Sequence, residues 1–228
     1  MTDRPDYPKA FAQHGVHFHS RNGTQAVGDC PFCGREKHYF VNVENHRWDC
    51  KKCGKRGGFA TFLQEVYAAS KRERKHFIEL ATDRGLKPES IIAAGVRYFP
   101  ASDRFLFPVC YRDGSNRLYD LRHYKRGGKV MTTASCQAGL WRWELLDGQP
   151  REVWIAEGEW DAIALLEAGV KGEVLAVPGA STWKSDWAPL LSECTVHLCY
   201  DNDPAGVDGA YRTYRALNGV ASKIDVIR

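Results

Sequence analysis

From residue 151 onward, short apolar runs alternate with amphipathic stretches. The apolar runs predict four strands, at 152–156, 173–177, 195–200 and 223–227. The stretches between them predict three helices, at 159–168, about 185–192 and 204–217. Alternation of strand and helix is typical of a parallel sheet covered by helices. We therefore expect an α/β fold of this kind over 151–228.

Acidic residues stand where two of these strands end. Glu157 directly follows the first strand, and Asp161 lies one turn into the next helix. Asp201 and Asp203 follow the third strand, at a spacing that can aim two carboxylates at one ion. Without a cation these acids would repel one another. We expect a magnesium site suited to phosphate chemistry, although helix capping and dipole compensation are alternatives for each acid taken singly.

Two Cys-x-x-Cys pairs, Cys30/Cys33 and Cys50/Cys53, are separated by sixteen residues. Four thiolates in tetrahedral geometry predict a closed, structural zinc site, and the spacing alone leaves an iron–sulfur centre open. The residues between the pairs predict two short strands joined by a turn. His38 is expected at the surface or beside the site rather than as a ligand.

Basic and aromatic residues surround the cysteines, which favours contact with nucleic acid over an ordinary solvated face. The basic residues are Arg35, Lys37, Arg47, Lys51, Lys52, Lys55 and Arg56. These cations would meet phosphates, and Trp48, Tyr39 or Phe40 would stack on an unpaired base. A place in the core is an equal alternative for Trp48.

Positive charge is concentrated between residues 104 and 129. Seven basic and two acidic residues give this segment a charge of +5, against +4 for the whole chain. Two strands are expected here, at 104–111 and 117–122, with a turn at Asp113-Gly114. The segment suits a single-stranded template or a nucleoside triphosphate, the alternative being a hairpin whose cations face water. The candidate binding residues are Arg104, Arg117, Arg122, Lys125 and Lys129.

The rest of the chain is less informative. Residues 1–24 predict an irregular lead-in, residues 58–84 predict helical structure with a break near 71–75, and a short helix is expected near 88–94. No run of about 18 apolar residues and no secretory signal is present, so no membrane span is expected. The other four cysteines show no disulfide spacing, which favours a reducing, cytoplasmic setting.

The acidic motifs resemble those of the TOPRIM domain. The matching residues are Glu157-Gly158-x-x-Asp161 and Asp201-x-Asp203-x-Ala205-Gly206, with Pro178-Gly179-Ala180 and Trp183 between them. Trp48-x-Cys50-x-x-Cys53-Gly54, followed by Gly57-Gly58, is similar to a primase zinc ribbon. Arg104-Phe-x-Phe-Pro108-Val and Gly127-Gly128-Lys129 are similar to the basic part of a primase core. Together these motifs resemble a DnaG-like primase of the compact type found in phages and mobile elements.

The resemblance implies a fold, a domain order and an activity. It implies a zinc-ribbon β module over 1–57, a helical linker and mixed α+β basic subdomain over 58–150, and a Rossmann-like TOPRIM sheet over 151–228. Magnesium or manganese would be held by Glu157, Asp201 and Asp203, with Asp161 assisting. The expected activity is synthesis of short RNA primers from ribonucleoside triphosphates on a single-stranded DNA template, with the ribbon reading a start site.

Primases of this class usually carry a further acidic stretch just after the next strand, and Asp225, inside the last expected strand, is a poor substitute for it. A replicative helicase is an expected partner, in a separate chain or in a missing C-terminal part, in the cytoplasm of a bacterial or phage-infected cell. Two alternatives remain: a non-catalytic recombination mediator like RecR, and a TOPRIM nuclease. About a hundred residues separate the cysteines from the first TOPRIM strand, which disfavours the mediator, and a topoisomerase would need a tyrosine domain for which there is no room.

Overall fold

The computed structural model describes residues 7–227, which form two compact units. The first unit contains the described residues through His76, together with Gly95–Pro108 and Arg117–Gln137. The second contains Phe77–Ala94, Val109–Asn116 and the described residues from Ala138 onward. The domain boundaries expected from the sequence stay a prediction.

The first unit is built mainly from two sheets and two helices. Its helices are α1 (Tyr7–Gln13) and α2 (Phe59–Ala69). Its first sheet contains β1 (Phe18–Asn22), β2 (Gln25–Gly28), β3 (Tyr39–Asn42), β4 (Trp48–Cys50) and β5 (Arg56–Gly57), paired antiparallel in chain order. A three-stranded sheet follows the order β6 (Arg97–Phe99), β7 (Arg104–Cys110) and β8 (Leu118–Tyr124). The strands expected on either side of Asp113-Gly114 are therefore confirmed.

The expectation of an irregular lead-in over residues 1–24 is wrong for the part that the structure describes, because α1 and β1 lie there; residues 1–6 fall outside it. Helix α1 is held by burial of Ala10 and Phe11, and the ring of Phe11 lies 4.4 Å from that of Phe62 on α2. Strand β1 has almost entirely exposed side chains, so its pairing depends on backbone hydrogen bonds. The short helix α1 and the exposed strand β1 therefore show no long periodic pattern of apolar residues from which they could be predicted.

An aromatic cluster forms the core beside the cysteines. The rings of Tyr39 and Trp48 stack with centroids 5.3 Å apart, and both side chains are buried. The indole N–H of Trp48 donates a hydrogen bond to the carbonyl of Gly58 (2.9 Å). Tyr39 and Trp48 are therefore part of the core, which confirms the core alternative for Trp48, and the expectation that Tyr39 is available to stack on a base is wrong. Phe40, half-buried, is the one of the three that reaches solvent.

The second unit is an α/β domain. Its elements are α3 (Ile78–Arg84), α4 (Pro88–Ala93), β9 (Glu152–Ala156), α5 (Glu159–Ala168), β10 (Glu173–Ala176), β11 (Thr195–Cys199), α6 (Pro204–Leu217) and β12 (Lys223–Ile227). The four strands are parallel, in the order β10-β9-β11-β12, which confirms the predicted parallel sheet. The expected helix near 185–192 is a 3-10 helix, Ser185–Leu191, that contains Pro189. Among the described residues, no helix has the length and apolarity needed to cross a membrane.

One face of this sheet carries the main apolar core of the second unit. Val153 and Ile155 on β9 alternate with outward-facing residues, as do Val196 and Leu198 on β11, and all four are fully buried. Leu217 at the end of α6 packs into the same cluster. Because β9 and β11 are central, adjacent and rigidly packed, the residues that follow them are held close together at one edge of the sheet.

Candidate functional site

Glu157 and Asp201 meet at the carboxyl edge of the parallel sheet. Strands β9 and β11 are in register with Ala156 opposite Cys199, so the residues that follow them emerge side by side. The backbone N–H of Asp201 donates a hydrogen bond to Oε2 of Glu157 (3.1 Å). The backbone N–H of Glu157 in turn donates to the carbonyl of Cys199 (3.2 Å). Two acidic motifs 44 residues apart in sequence thus share one site.

Asp203 begins helix α6. Its Oδ1 accepts a hydrogen bond from the N–H of Gly206 (2.7 Å), which is the helix-capping alternative raised from the sequence. A carboxylate has a second oxygen, so this cap does not exclude a metal role. A Cβ on Gly206 would lie 2.1 Å from the carbonyl oxygen of Asp201. The start of α6 therefore packs directly on the backbone of Asp201, and only glycine allows that approach.

The electrostatics of the site indicate crowded negative charge. Desolvation by neighbouring atoms and the charge of Asp201 raise the pKa of Asp161, although its side chain is exposed to solvent. Partial burial, together with the charges of Asp201, Asp203 and Asp161, raises the pKa of Glu157, against the opposing hydrogen bond from Asp201. Gly158 leaves room for Asp161, since a Cβ at Gly158 would lie 3.1 Å from its Oδ2. Glu157 and Asp161 are therefore harder to ionise beside their acidic neighbours, a condition that a bound cation relieves.

The four acids are near neighbours but do not form a closed cage. Within residues 7–227, they are not among the groups whose ligand atoms all lie within 4.8 Å of one another. Like charges without a cation are expected to stand apart. The donor set consists of carboxylate oxygens, which suit magnesium or manganese, so the residues present fit such ions.

The loop after β10 lies against Glu157. The N–H of Gly179 donates to the carbonyl of Glu157 (3.1 Å), and Gly179 has a φ of +117°. The carbonyl of Ala180 approaches α6 so closely that a Cβ on Gly209 would lie 2.7 Å from it. The Pro178-Gly179-Ala180 loop, which the sequence placed between the acidic motifs, therefore supports the backbone of the site.

The four cysteines converge in the first unit. The Sγ atoms of Cys30 and Cys53 are 3.9 Å apart, and those of Cys33 and Cys50 are 3.8 Å apart. Zinc–sulfur bonds of about 2.3 Å in a tetrahedron place sulfurs about 3.8 Å apart, so the thiols fit one tetrahedral ion. His38 does not belong to this group.

Two similar knuckles hold the thiols. The N–H of Gly34 donates to the carbonyl of Cys30 (2.9 Å), and that of Gly54 to the carbonyl of Cys50 (3.0 Å). Burial acts to raise the pKa of Cys50, but N–H donors from Cys53 and Lys52 outweigh it and lower that pKa to about 7. Burial raises the pKa of Cys30. One thiol is thus ready to bind metal as a thiolate at neutral pH.

A shallow cavity of about 790 Å³ lies on the five-stranded sheet of the first unit, next to the knuckle of Cys50 and Cys53, and is lined by polar side chains together with Trp48. Its lining includes Asn42, Asn45, Arg47, Asp49, Lys51 and Arg56. Of these, Asn42, Asn45 and Asp49 were not predicted from the sequence as functional residues. The two asparagines carry a turn signal only: Oδ1 of Asn42 accepts the N–H of Asn45 (3.0 Å), and Oδ1 of Asn45 accepts that of Arg47 (3.1 Å).

The candidate basic residues are in different environments. Arg117, Lys125 and Lys129 are exposed, and the N–H of Gly128 closes a turn onto the carbonyl of Lys125 (2.9 Å). Arg104 is half-buried, with Nη1 2.9 Å from Nδ1 of His123. These residues belong to the first unit, whereas the acidic residues belong to the second.

Arg122 does not lie at the surface. Its side chain is 1% exposed, and its Nε lies 3.8 Å from Oδ2 of the fully buried Asp120. The N–H of Thr133 also donates to Asp120 (3.1 Å), and burial raises the pKa of this carboxyl. In this arrangement Arg122 balances a buried acid and does not reach solvent to hold nucleotide. A count of charges cannot tell a buried arginine from an exposed one. The structure shows that Arg122 is buried because all but one residue of β8 is buried.

The comparison with protein families concerns the C-terminal third of the chain, which carries the acidic motifs. The Toprim-like family model matches residues 154–228. This part of the chain is a Toprim-like domain. Glu157, Asp161, Asp201 and Asp203 all lie within it. No curated protein sequence matches the chain.

Solved structures extend the likeness beyond the Toprim-like domain. The primase fragment of the bacteriophage T7 primase-helicase is 17% identical, with a TM-score of 0.58, over 88% of this chain and 88% of that one. A DNA primase domain from Pseudomonas aeruginosa is 18% identical (TM-score 0.54), and the DnaG catalytic core is 16% identical (TM-score 0.53); each match covers 69% of this chain and 66% of the other. At these identities the likeness shows that the chain has a DnaG-type primase fold.

Proposed function

We propose that the chain is a DNA primase that makes short RNA primers on single-stranded DNA. The observation that carries the proposal is the meeting of Glu157 with Asp201 at the carboxyl ends of adjacent strands in a Toprim-like domain. The reaction joins the 3′-hydroxyl of one ribonucleotide to the α-phosphorus of the next and releases pyrophosphate. Such chemistry needs compensation for negative charge, and a cluster of acids is useful only if it gathers cations.

The carboxylates of Glu157, Asp201 and Asp203 would hold magnesium or manganese, with Asp161 beside them. When bound, these ions supply Lewis acidity that favours the hydroxyl nucleophile and the departing pyrophosphate. The raised pKa values of Glu157 and Asp161 support this role, because the ionised site is costly until a cation enters. Asp203 also keeps helix α6 in place through its cap.

The first unit would bind template and nucleotides. Zinc on the four cysteines would fix the knuckles, and the polar cavity beside them would read the start site with Phe40 accessible for stacking. Exposed Arg117, Lys125 and Lys129 would contact phosphates. Because primers are used at replication forks, we propose a replicative helicase as partner, in the cytoplasm of a bacterial or phage-infected cell.

A radiolabelled ribonucleotide assay on single-stranded DNA tests the proposal. Wild-type protein should yield short, magnesium-dependent oligoribonucleotides. Glu157→Gln and Asp201→Asn should reduce the yield by at least about 100-fold, the scale of losing a group that stabilises transition-state charge. Both changes are nearly isosteric, so the hydrogen bond from Asp201 to residue 157 can persist.

Glu193→Gln is the matched control, because it removes a carboxylate just before β11, at the opposite end of that strand. It should leave synthesis unchanged. Strand binding without synthesis by the wild type would instead favour a recombination mediator, and DNA cleavage would favour a nuclease. Unchanged products from both site variants would reject the proposed metal site.

A further inference from the structure

We propose that His17, His19 and Asp29 form a second metal site in the first unit, distinct from the four cysteines, that takes a divalent transition ion such as zinc. The ligand atoms of these three residues all lie within 4.8 Å of one another. Oδ1 of Asp29 is 2.6 Å from Nε2 of His19, and Oδ2 is 3.4 Å from Nδ1 of His17. The two imidazole rings stand edge to face, with centroids 4.8 Å apart.

The local fold directs these side chains toward one point. Phe18 pairs with Gly28 and Ser20 pairs with Val27, so His19 is an extra residue in the hairpin of β1 and β2. A bulge of this kind bends the strand and re-aims the side chain that it carries. His17 directly precedes β1, and Asp29 directly follows β2. Three residues at the open end of one hairpin are thereby brought together.

Asp29 is fixed before any ion arrives. Its N–H donates to the carbonyl of His17 (2.9 Å), which ties it to the facing strand. Its Oδ1 also accepts the backbone N–H of Lys37 (2.9 Å). Hydrogen bonds that orient a ligating carboxylate are a regular part of metal sites, because they restrict its rotation.

The donor set has a specific chemistry. Two imidazole nitrogens and one carboxylate oxygen are a common zinc ligand set, which leaves the fourth position to water. Bonds of about 2.0–2.1 Å in a tetrahedron place the ligand atoms about 3.3 Å apart. The pair of His17 and Asp29, at 3.4 Å, already has this spacing. His17 approaches Oδ2 of Asp29, whereas His19 contacts the other oxygen, Oδ1 (2.6 Å). That hydrogen bond has to open before Nε2 of His19 and Oδ2 can bind one ion.

Access to the site is open. The side chains of His17, His19 and Asp29 are 75%, 27% and 25% exposed, so an ion can enter from solvent and keep a water ligand. In contrast, the cysteine group includes two buried thiols and has no free position once four sulfurs bind. We therefore expect the second site to exchange metal faster and to bind it less tightly than the cysteines.

The zinc content of the chain tests the proposal. Metal-free protein is dialysed against zinc in excess magnesium, which keeps zinc off the acids of the Toprim-like domain, and bound zinc is counted by mass spectrometry. Wild-type protein should hold two zinc ions per chain, and His17→Gln and Asp29→Asn should each hold one. His38→Gln, a histidine of the same module outside the cluster, should hold two.

Cobalt distinguishes the two sites by spectrum. The first equivalent should give the intense thiolate-to-cobalt band of the cysteines, and the second should add only weak visible bands, which His17→Gln should lose. Because His17 is largely exposed, its replacement leaves the fold intact, and circular dichroism verifies this. One zinc ion in wild-type protein, or two in His17→Gln, would overturn the proposal.

Discussion

Gly206→Ala should damage the acidic site although it replaces none of the acidic residues. A Cβ at this position would lie 2.1 Å from the carbonyl oxygen, 2.8 Å from the carbonyl carbon and 2.9 Å from the nitrogen of Asp201. All three atoms are backbone, so no side-chain rotation can relieve the contact. Real Cβ atoms essentially never approach closer than 3.0 Å, so the start of α6 and Asp201 must separate by about 0.9 Å.

The magnitude follows from overpacking. Forced backbone shifts in a packed site cost about 1–3 kcal/mol, and each kcal/mol lowers Tm by about 2–4 °C in a chain of this size. We therefore expect a fall in Tm of about 2–12 °C. The same movement pulls the N–H of Asp201 from Oε2 of Glu157. We expect magnesium to raise the Tm of the wild type by binding the folded state, and this rise should be largely lost in the variant.

Thermal unfolding with and without magnesium measures both effects. Gly148→Ala is the control, because a Cβ there meets nothing within 4 Å and Gly148 belongs to the same unit. It should change Tm by less than about 2 °C, the usual range for surface substitutions. If Gly206→Ala unfolds at the wild-type temperature and keeps the full magnesium response, the inferred packing of α6 on Asp201 is incorrect.

Three further changes test other parts of the molecule. Asp161→Asn should raise the Tm of the magnesium-free protein at pH 7 by about 1–4 °C. The pKa of Asp161 is raised in the folded state, so the folded protein loses stability as the pH rises through that pKa and the carboxylate ionises. Asparagine has no charge and avoids this loss. The gain should vanish near pH 4, and a pH series of melts without that trend would contradict the reasoning. Cys50→Ser should abolish tight zinc binding, measured as zinc retained after mild chelation, and retention of a full equivalent would exclude the four-cysteine site. Arg122→Met should lower the free energy of unfolding, measured in urea, by about 3–5 kcal/mol, because Asp120 is left buried without its cationic partner. A decrease of less than about 1 kcal/mol would show that this ion pair contributes little to stability.

The fold of the Toprim-like domain could be predicted from sequence because its signals are local and strong. Helix α6 begins with Pro204 behind a capping Asp203, and α5 ends at Gly169 in a left-handed conformation, so both boundaries are marked by residue type. The apolar runs of β9 and β11 are continuous enough to identify central strands. The position of the acids at the ends of those strands then follows from topology.

The first unit was harder to predict because tertiary contacts determine it. Helix α1 has seven residues, too few to be stable alone, and it depends on the contact of Phe11 with Phe62 on α2. Strand β1 lacks an apolar face to give a period of two. The inward position of Arg122 depends on Asp120, two residues earlier on the same strand, and charge counting treats both as surface groups.

The helix cap made by Asp203 has an evolutionary consequence if Asp203 also binds the proposed metal. If the proposed primase activity were lost in a descendant of this chain, a carboxylate at position 201 would have no further use, and mutation could replace it. Position 203 would stay under selection for an oxygen that accepts the N–H of Gly206, so asparagine, serine or threonine would be the tolerated replacements. Unequal drift at these two positions would therefore mark lineages that kept the architecture after abandoning the chemistry.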